Sequence, residues 1–149
     1  MNAPEETVEI LLVEDSPDDV DFFIHTFKKA GLAARLQVLP DGAEALQYIF
    51  CTGRHAQRNA ANRPKVIIID LKLPKVSGLE VLRRLKADPR TRTIPVVVLS
   101  SSQEERDLIE SYEIGVNSYI VKSMDFDEFG KAVQVLSQYW LQFNLTPKP

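Results

Sequence analysis

Apolar positions along the chain form two kinds of run that alternate with one another. The first kind is short and near-continuous: Val8 to Val13, about Ala34 to Leu39, Val66 to Ile69, Ile94 to Leu99 and Ser118 to Val121. Runs of this length, rich in β-branched residues and bounded by turn residues, predict strands. The second kind is spaced for a helix. Val20, Phe23, Ile24 and Phe27 form one stripe, Ala45, Leu46, Ile49 and Phe50 the next, then Leu79, Leu82 and Leu85. Leu108, Ile109 and Tyr112 follow, and finally Phe129, Val133, Leu136, Trp140 and Phe143. Each stripe has a start signal: Ser16 with Pro17, then the capping pairs Asp41 and Glu44, Ser77 and Glu80, Ser102 and Glu105, Asp125 and Glu128. Gly31, Asp88-Pro89 and Gly115 supply stops.

Five repeats of strand then helix predict a parallel sheet with helices on both faces. The first, third and fourth runs are apolar throughout, as in strands buried on both sides. The second run alternates and the fifth is short, which puts both at edges. That agrees with the order 2-1-3-4-5 of a flavodoxin-like α/β fold. Residues 8–143 then make one domain, behind a polar leader at 1–7 and ahead of a tail at 144–149. The polar, basic stretch 52–63 reads as a long surface loop.

Composition narrows the function. The 149 residues are 44% hydrophobic and 26% charged, with a net charge of −3 and no basic run, which argues against a nucleic-acid surface. One cysteine, Cys51, makes no internal disulfide. No signal peptide and no membrane-length apolar run is visible, so a cytoplasmic protein is expected. His25 and His55 are expected at the surface.

The chemistry gathers at the strand ends: Glu14 and Asp15 after the first, Asp70 after the third, Ser100 after the fourth, Lys122 after the fifth. In a parallel sheet these ends share one rim, with about 4.8 Å between adjacent strands. Three carboxylates that close repel one another unless a cation lies between them. A few carboxylates with water and a phosphate oxygen suit Mg²⁺. Asp70 is then the candidate nucleophile toward phosphorus, with Lys122 and the Ser100 hydroxyl covering phosphoryl charge. Each residue also has a plain reading: Glu14 or Asp15 as helix caps, Lys122 as a solvated loop lysine, Ser100 as one of three serines.

Glu14-Asp15-Ser16, Asp70-Leu71-Lys72-Leu73-Pro74 with Ser77-Gly78, Val97-Val98-Leu99-Ser100, and Tyr119 with Lys122 together resemble the receiver domain of two-component response regulators. The resemblance implies that Asp70 accepts a phosphoryl group from a histidine kinase. It implies direct Mg²⁺ binding by Asp15, binding through water by Glu14, and a further ligand from the Lys72 carbonyl. Ser100 and Tyr119 match the switch pair, which in the family changes the face of the fourth helix, fifth strand and fifth helix. The loop before the third strand, Lys122-Ser123 and Tyr139-Trp140-Leu141 look like single-domain regulators that serve bacterial phytochromes. Ser123 departs from the proline usual after the lysine, and Glu14 from the commoner aspartate.

Lys72 and Ser102, each two residues past a key group, are expected to flank the path of water and tune the phosphate's lifetime. Tyr139, Trp140 and Phe143 either cover the core or form an aromatic patch for a homodimer. Since the chain ends after the fifth helix, output through protein contacts is expected. A haloacid-dehalogenase phosphatase would need an acid where Lys72 stands. A flavodoxin would not place Glu14-Asp15-Ser16-Pro17 against a flavin phosphate, and no P-loop pattern occurs. A receiver that binds a partner without phosphorylation is the remaining alternative.

Overall fold

The computed structural model describes residues 8–31, 35–122 and 125–147. Five strands, β1 (Ile10–Val13), β2 (Leu36–Leu39), β3 (Val66–Ile69), β4 (Val96–Ser100) and β5 (Ser118–Val121), form one sheet. Its order is β2-β1-β3-β4-β5 and every pairing is parallel. The central strands β1, β3 and β4 are buried at every position, while β2 and β5 are only partly covered. The alternating and short runs are therefore the edges, because an edge strand has one flank open to water.

The helices are α1 (Pro17–Lys29), α2 (Gly42–Phe50), α3 (Gly78–Ala87), α4 (Glu105–Ile114) and α5 (Phe126–Gln138). Side chains alternate across the sheet, so each central strand feeds two cores. Leu11, Val13, Ile67, Ile69, Val96 and Val98 meet α2 and α3 through Leu46, Ile49, Val81, Leu82 and Leu85. Ile10, Leu12, Ile68, Val97 and Leu99 meet α1 and α5 through Phe23, Phe27, Phe129, Val133 and Leu136. Four of the caps form as the spacing predicts: Ser16, Asp41, Ser77 and Asp125 each accept a backbone N–H of the first turn. Gly31 takes φ +69° beyond α1 and donates to the Lys28 carbonyl.

Three elements differ from the pattern. The Ser102 hydroxyl donates to Asp107 at 2.6 Å and accepts from the Glu104 N–H at 3.3 Å, so α4 begins with Glu104 rather than Ser102 as its cap. The apolar stripe of α4 faces outward: Leu108, Ile109 and Tyr112 are 40–52% exposed, and the residue it buries is Ser111. After α5 the chain continues as a π turn, Tyr139–Phe143, closed by the Asn144 N–H on the Tyr139 carbonyl. The wider turn rotates Phe143 off the stripe, leaving it 76% exposed while Trp140 stays buried at 8%.

The 52–63 stretch holds a 3₁₀ turn at Gly53–His55, and the Arg58 guanidinium lies 3.7 Å from the Tyr48 ring centroid. His55 is not a plain surface residue: it is half-buried, 3.1 Å from the Glu44 carboxylate and edge-on to Tyr48. Among the described residues no helix is long and apolar enough to cross a membrane. The leader 1–7 and the Lys122–Ser123 peptide lie outside the described residues.

Candidate functional site

The rim at the carboxyl ends of the strands is set by the sheet register. Val13 pairs with Ile69, which brings the next residues, Glu14 and Asp70, side by side. Hydrogen bonding runs one residue past β1, β3 and β5. The Asp70 N–H donates to Val13 at 3.1 Å, the Glu14 N–H to Leu39 at 3.0 Å, and the Lys122 N–H to Ser100 at 2.8 Å. A site held by backbone ladders keeps its side chains in place without relying on mobile loops. Gly78 adds a second constraint. A Cβ built there would lie 2.0 Å from the Asp70 carbonyl oxygen, so the α3 start can approach this backbone only as glycine.

Glu14, Asp15 and Asp70 each offer a carboxylate oxygen, and the three lie within 4.8 Å of one another. Glu14 and Asp70 are buried and Asp15 is exposed. The Lys122 ammonium reaches in from the end of β5 and donates to Glu14 Oε2 at 2.8 Å and Asp70 Oδ2 at 2.9 Å. The other Asp70 oxygen, Oδ1, accepts the Lys72 N–H at 3.1 Å. Glu14 Oε1 accepts the Ser16 N–H at 3.1 Å, so Glu14 steadies the helix start as well as facing the pocket.

Charge is poorly solvated here. Burial, with the Asp70 charge adding to it, outweighs the downward pull of the Lys122 ammonium and leaves the Glu14 carboxyl raised to about 7. Burial would lower the Lys122 pKa, but hydrogen bonds to Asp19, Glu14 and Asp70 outweigh it and hold the amine well above its ordinary value. The donor set is all oxygen, acidic and open on the Asp15 side, which fits a hard divalent cation.

The remaining sequence candidates lie around this centre. Ser100 is fully buried at the end of β4, and its Oγ accepts the Ser102 N–H at 3.2 Å. Tyr119 on β5 donates its hydroxyl to the Ser102 carbonyl at 3.0 Å and packs against the α2–α3 core. Ser102 is itself buried, with its hydroxyl engaged by Asp107, whereas Lys72 is exposed. Tyr139 and Trp140 are remote from the rim and line an open groove of about 710 Å³ beside β5 with Ile120 and Val135.

One acid of the site does not stand at a strand end. Asp19 Oδ2 accepts from Lys122 at 2.8 Å, as close as Glu14 does. In sequence it reads as an ordinary acid in the first turn of a helix. The signal was its place on that turn, since helical side chains tilt toward the N-terminus and so back toward the strand end.

Residues 10–134 match the family model for the response regulator receiver domain. The chain is 39% identical over 133 residues to the response regulator Rcp1 of Synechocystis sp., covering 89% of this chain and 88% of that protein. The solved structure of the Mn²⁺-bound form of Rcp1 superposes with a TM-score of 0.86 at 38% identity, covering 94% of this chain and 99% of that one. The phosphorylated cyanobacterial phytochrome response regulator RcpA gives a TM-score of 0.87 at 35% identity, over 96% of this chain and 100% of that one. The bacteriophytochrome response regulator AtBRR gives 0.73 at 46% identity, over 95% and 100%.

Proposed function

Because the chain belongs to the response regulator receiver domain family, we propose that it is a stand-alone receiver whose Asp70 takes a phosphoryl group from a histidine kinase of the bacteriophytochrome type, with Mg²⁺ as the bound cation. The observation that carries this is the grip of Lys122 on Asp70 and Glu14 beside three carboxylates set within 4.8 Å. An Asp70 oxygen bonds to phosphorus as the P–N bond of the phosphohistidine breaks. The electron pair goes to the imidazole, which takes up a proton.

Asp15 and Asp70 would hold Mg²⁺ directly, Glu14 through water, and the Lys72 carbonyl would complete the protein ligands. The ion supplies charge neutralisation at the phosphoryl oxygens. Lys122 keeps its ammonium beside Asp70 and can donate to a phosphoryl oxygen, and the Ser100 hydroxyl can turn to donate to another. Ser100 and Tyr119 then act as the switch: both meet the 100–102 loop, so a moving Ser100 hydroxyl pulls on the carbonyl that holds the Tyr119 hydroxyl. Lys72, exposed beside Asp70, and Ser102, which ties this loop to α4, tune how long the phosphate survives.

Output passes through the α4-β5-α5 face to a second copy of the chain. This face exposes Leu108, Ile109, Tyr112, Val121, Val135 and Tyr139, and Phe143 extends it. Apolar surface of this kind marks contacts. Trp140 contributes as the buried floor of the groove that Tyr139 borders.

Intact mass after incubation with acetyl phosphate and Mg²⁺, beside Asp70→Asn, tests the reading. The expected result is one added phosphoryl group that needs Mg²⁺ and is missing in the variant. No adduct, or an equal adduct on Asp70→Asn, would overturn it.

A further inference from the structure

An ammonium has three N–H donors. The Lys122 Nζ spends them on three carboxylates: Glu14 at 2.8 Å, Asp19 at 2.8 Å and Asp70 at 2.9 Å. A phosphoryl group on Asp70 brings new oxygens within reach of the same nitrogen. The acyl phosphate no longer offers an Asp70 carboxylate, and its doubly charged phosphoryl group draws more than the one N–H that Asp70 held, so one of the other two carboxylates must be given up. The Glu14 side chain is 5% exposed, so releasing it leaves a buried charge with one partner fewer. The Asp19 side chain is 41% exposed, and water can replace the ammonium there at little cost. Asp19 also belongs to a different element from the other two, the first turn of α1, where its N–H is capped by Ser16 Oγ at 3.3 Å.

We propose that Asp19 is a positioning residue that latches Lys122 to helix α1 in the resting state and is the partner released when Asp70 carries a phosphoryl group. The inference rests on phosphorylation of Asp70 as set out above. The latch has two consequences. It opposes phosphoryl capture, since the incoming oxygen must displace a charged acceptor. It also couples the state of Asp70 to the start of α1, which loses a tie to β5 when the ammonium moves.

The test compares wild type with Asp19→Asn, Asp19→Glu and Asp18→Asn. Asp18 is an exposed acid on the same turn, so its amide variant removes equal charge without touching the Lys122 contact. At saturating Mg²⁺, Asp19→Asn should take phosphate from acetyl phosphate roughly fivefold faster than wild type, the upper end for a part-exposed ion pair. Asp18→Asn and the charge-keeping Asp19→Glu should stay within roughly twofold, as expected where no such pair is lost. Amide exchange gives a reading independent of turnover. Beryllofluoride with Mg²⁺, a phosphoryl mimic, should deprotect the amides of residues 19–21 in wild type. In Asp19→Asn those amides should exchange fast already and change little. Equal rates for wild type and Asp19→Asn, or equal acceleration by Asp18→Asn, would overturn the latch alone. A wild type that takes no phosphoryl group would overturn it together with the proposed function.

Discussion

Lys122 shows what a single residue does when its surroundings make it indispensable. It is 12% exposed and stands among carboxylates that would otherwise repel across a buried pocket. Removing one member of a buried ion cluster leaves charge without compensation, a loss of about 3 kcal/mol or more. Lys122→Ala should therefore lower the metal-free unfolding free energy by about 3 kcal/mol in urea titrations. Adding Glu14→Gln to it should recover part of the loss, because the two effects share one interaction. At the surface, Asp88 shows the weaker version. Three hydrogen bonds from Arg90, two from the guanidinium and one from the backbone, hold its carboxyl down to about 2 from 3.8. The folded value is the lower one, so the contribution is present above pH 3.8 and lost as pH falls from there toward 2. In urea midpoints measured between pH 5 and pH 2, Asp88→Asn should show a shallower acid loss than wild type.

At the scale of elements, the site depends on how closely α3 starts behind β3. The Gly78 N–H donates to Leu71 at 2.9 Å, and its α-carbon faces the Asp70 carbonyl with no room for a methyl. Ser77-Gly78 is thus both a helix cap and a spacer for Asp70. Gly78→Ala must push the β3–α3 connection outward, at a cost of about 2 kcal/mol. Its acetyl phosphate uptake should fall with the displaced Asp70, while Ser77→Ala, which loses only the cap, should cost about 1 kcal/mol and leave uptake intact. Normal uptake by Gly78→Ala would refute the spacer role. Helix α4 makes the complementary point. Its only buried side chain among the described residues is Ser111, so it is held by few apolar contacts and suits a moving part of a switch.

For the whole molecule, a cation that binds the folded acidic pocket must stabilise the fold by mass action. Mg²⁺ at about a hundred times its dissociation constant should add about 2.7 kcal/mol. For a chain of this size that is a rise of roughly 5–10 °C in the melting temperature. The rise should vanish with EDTA and shrink in Asp15→Asn, as read by a calorimetric melt. The apolar α4-β5-α5 face predicts association. Light scattering after size exclusion should show a beryllofluoride-sensitive monomer–dimer balance, and Ile109→Asp with Tyr139→Ala should hold the chain monomeric in every state.

The architecture and most of the site were legible in the chain because both follow from local pattern plus one rule. Strand and helix periods alternate, parallel strands put their carboxyl ends on one rim, and the residue that ends each apolar run is therefore a rim residue. Glu14, Asp15, Asp70, Ser100 and Lys122 needed nothing more. Three features were decided only in three dimensions. Asp19 reads as a dipole-favoured acid until the end of β5, 103 residues away, delivers an ammonium to it. Ser102 matches a capping box, but Asp107 competes for its hydroxyl and the helix begins two residues later. The stripe of α4 predicts a buried face, yet Leu108, Ile109 and Tyr112 meet water, and after α5 packing buries Trp140 and exposes Phe143, a choice the stripe leaves open. Periodicity says which residues share a face; only packing says whether another element covers it.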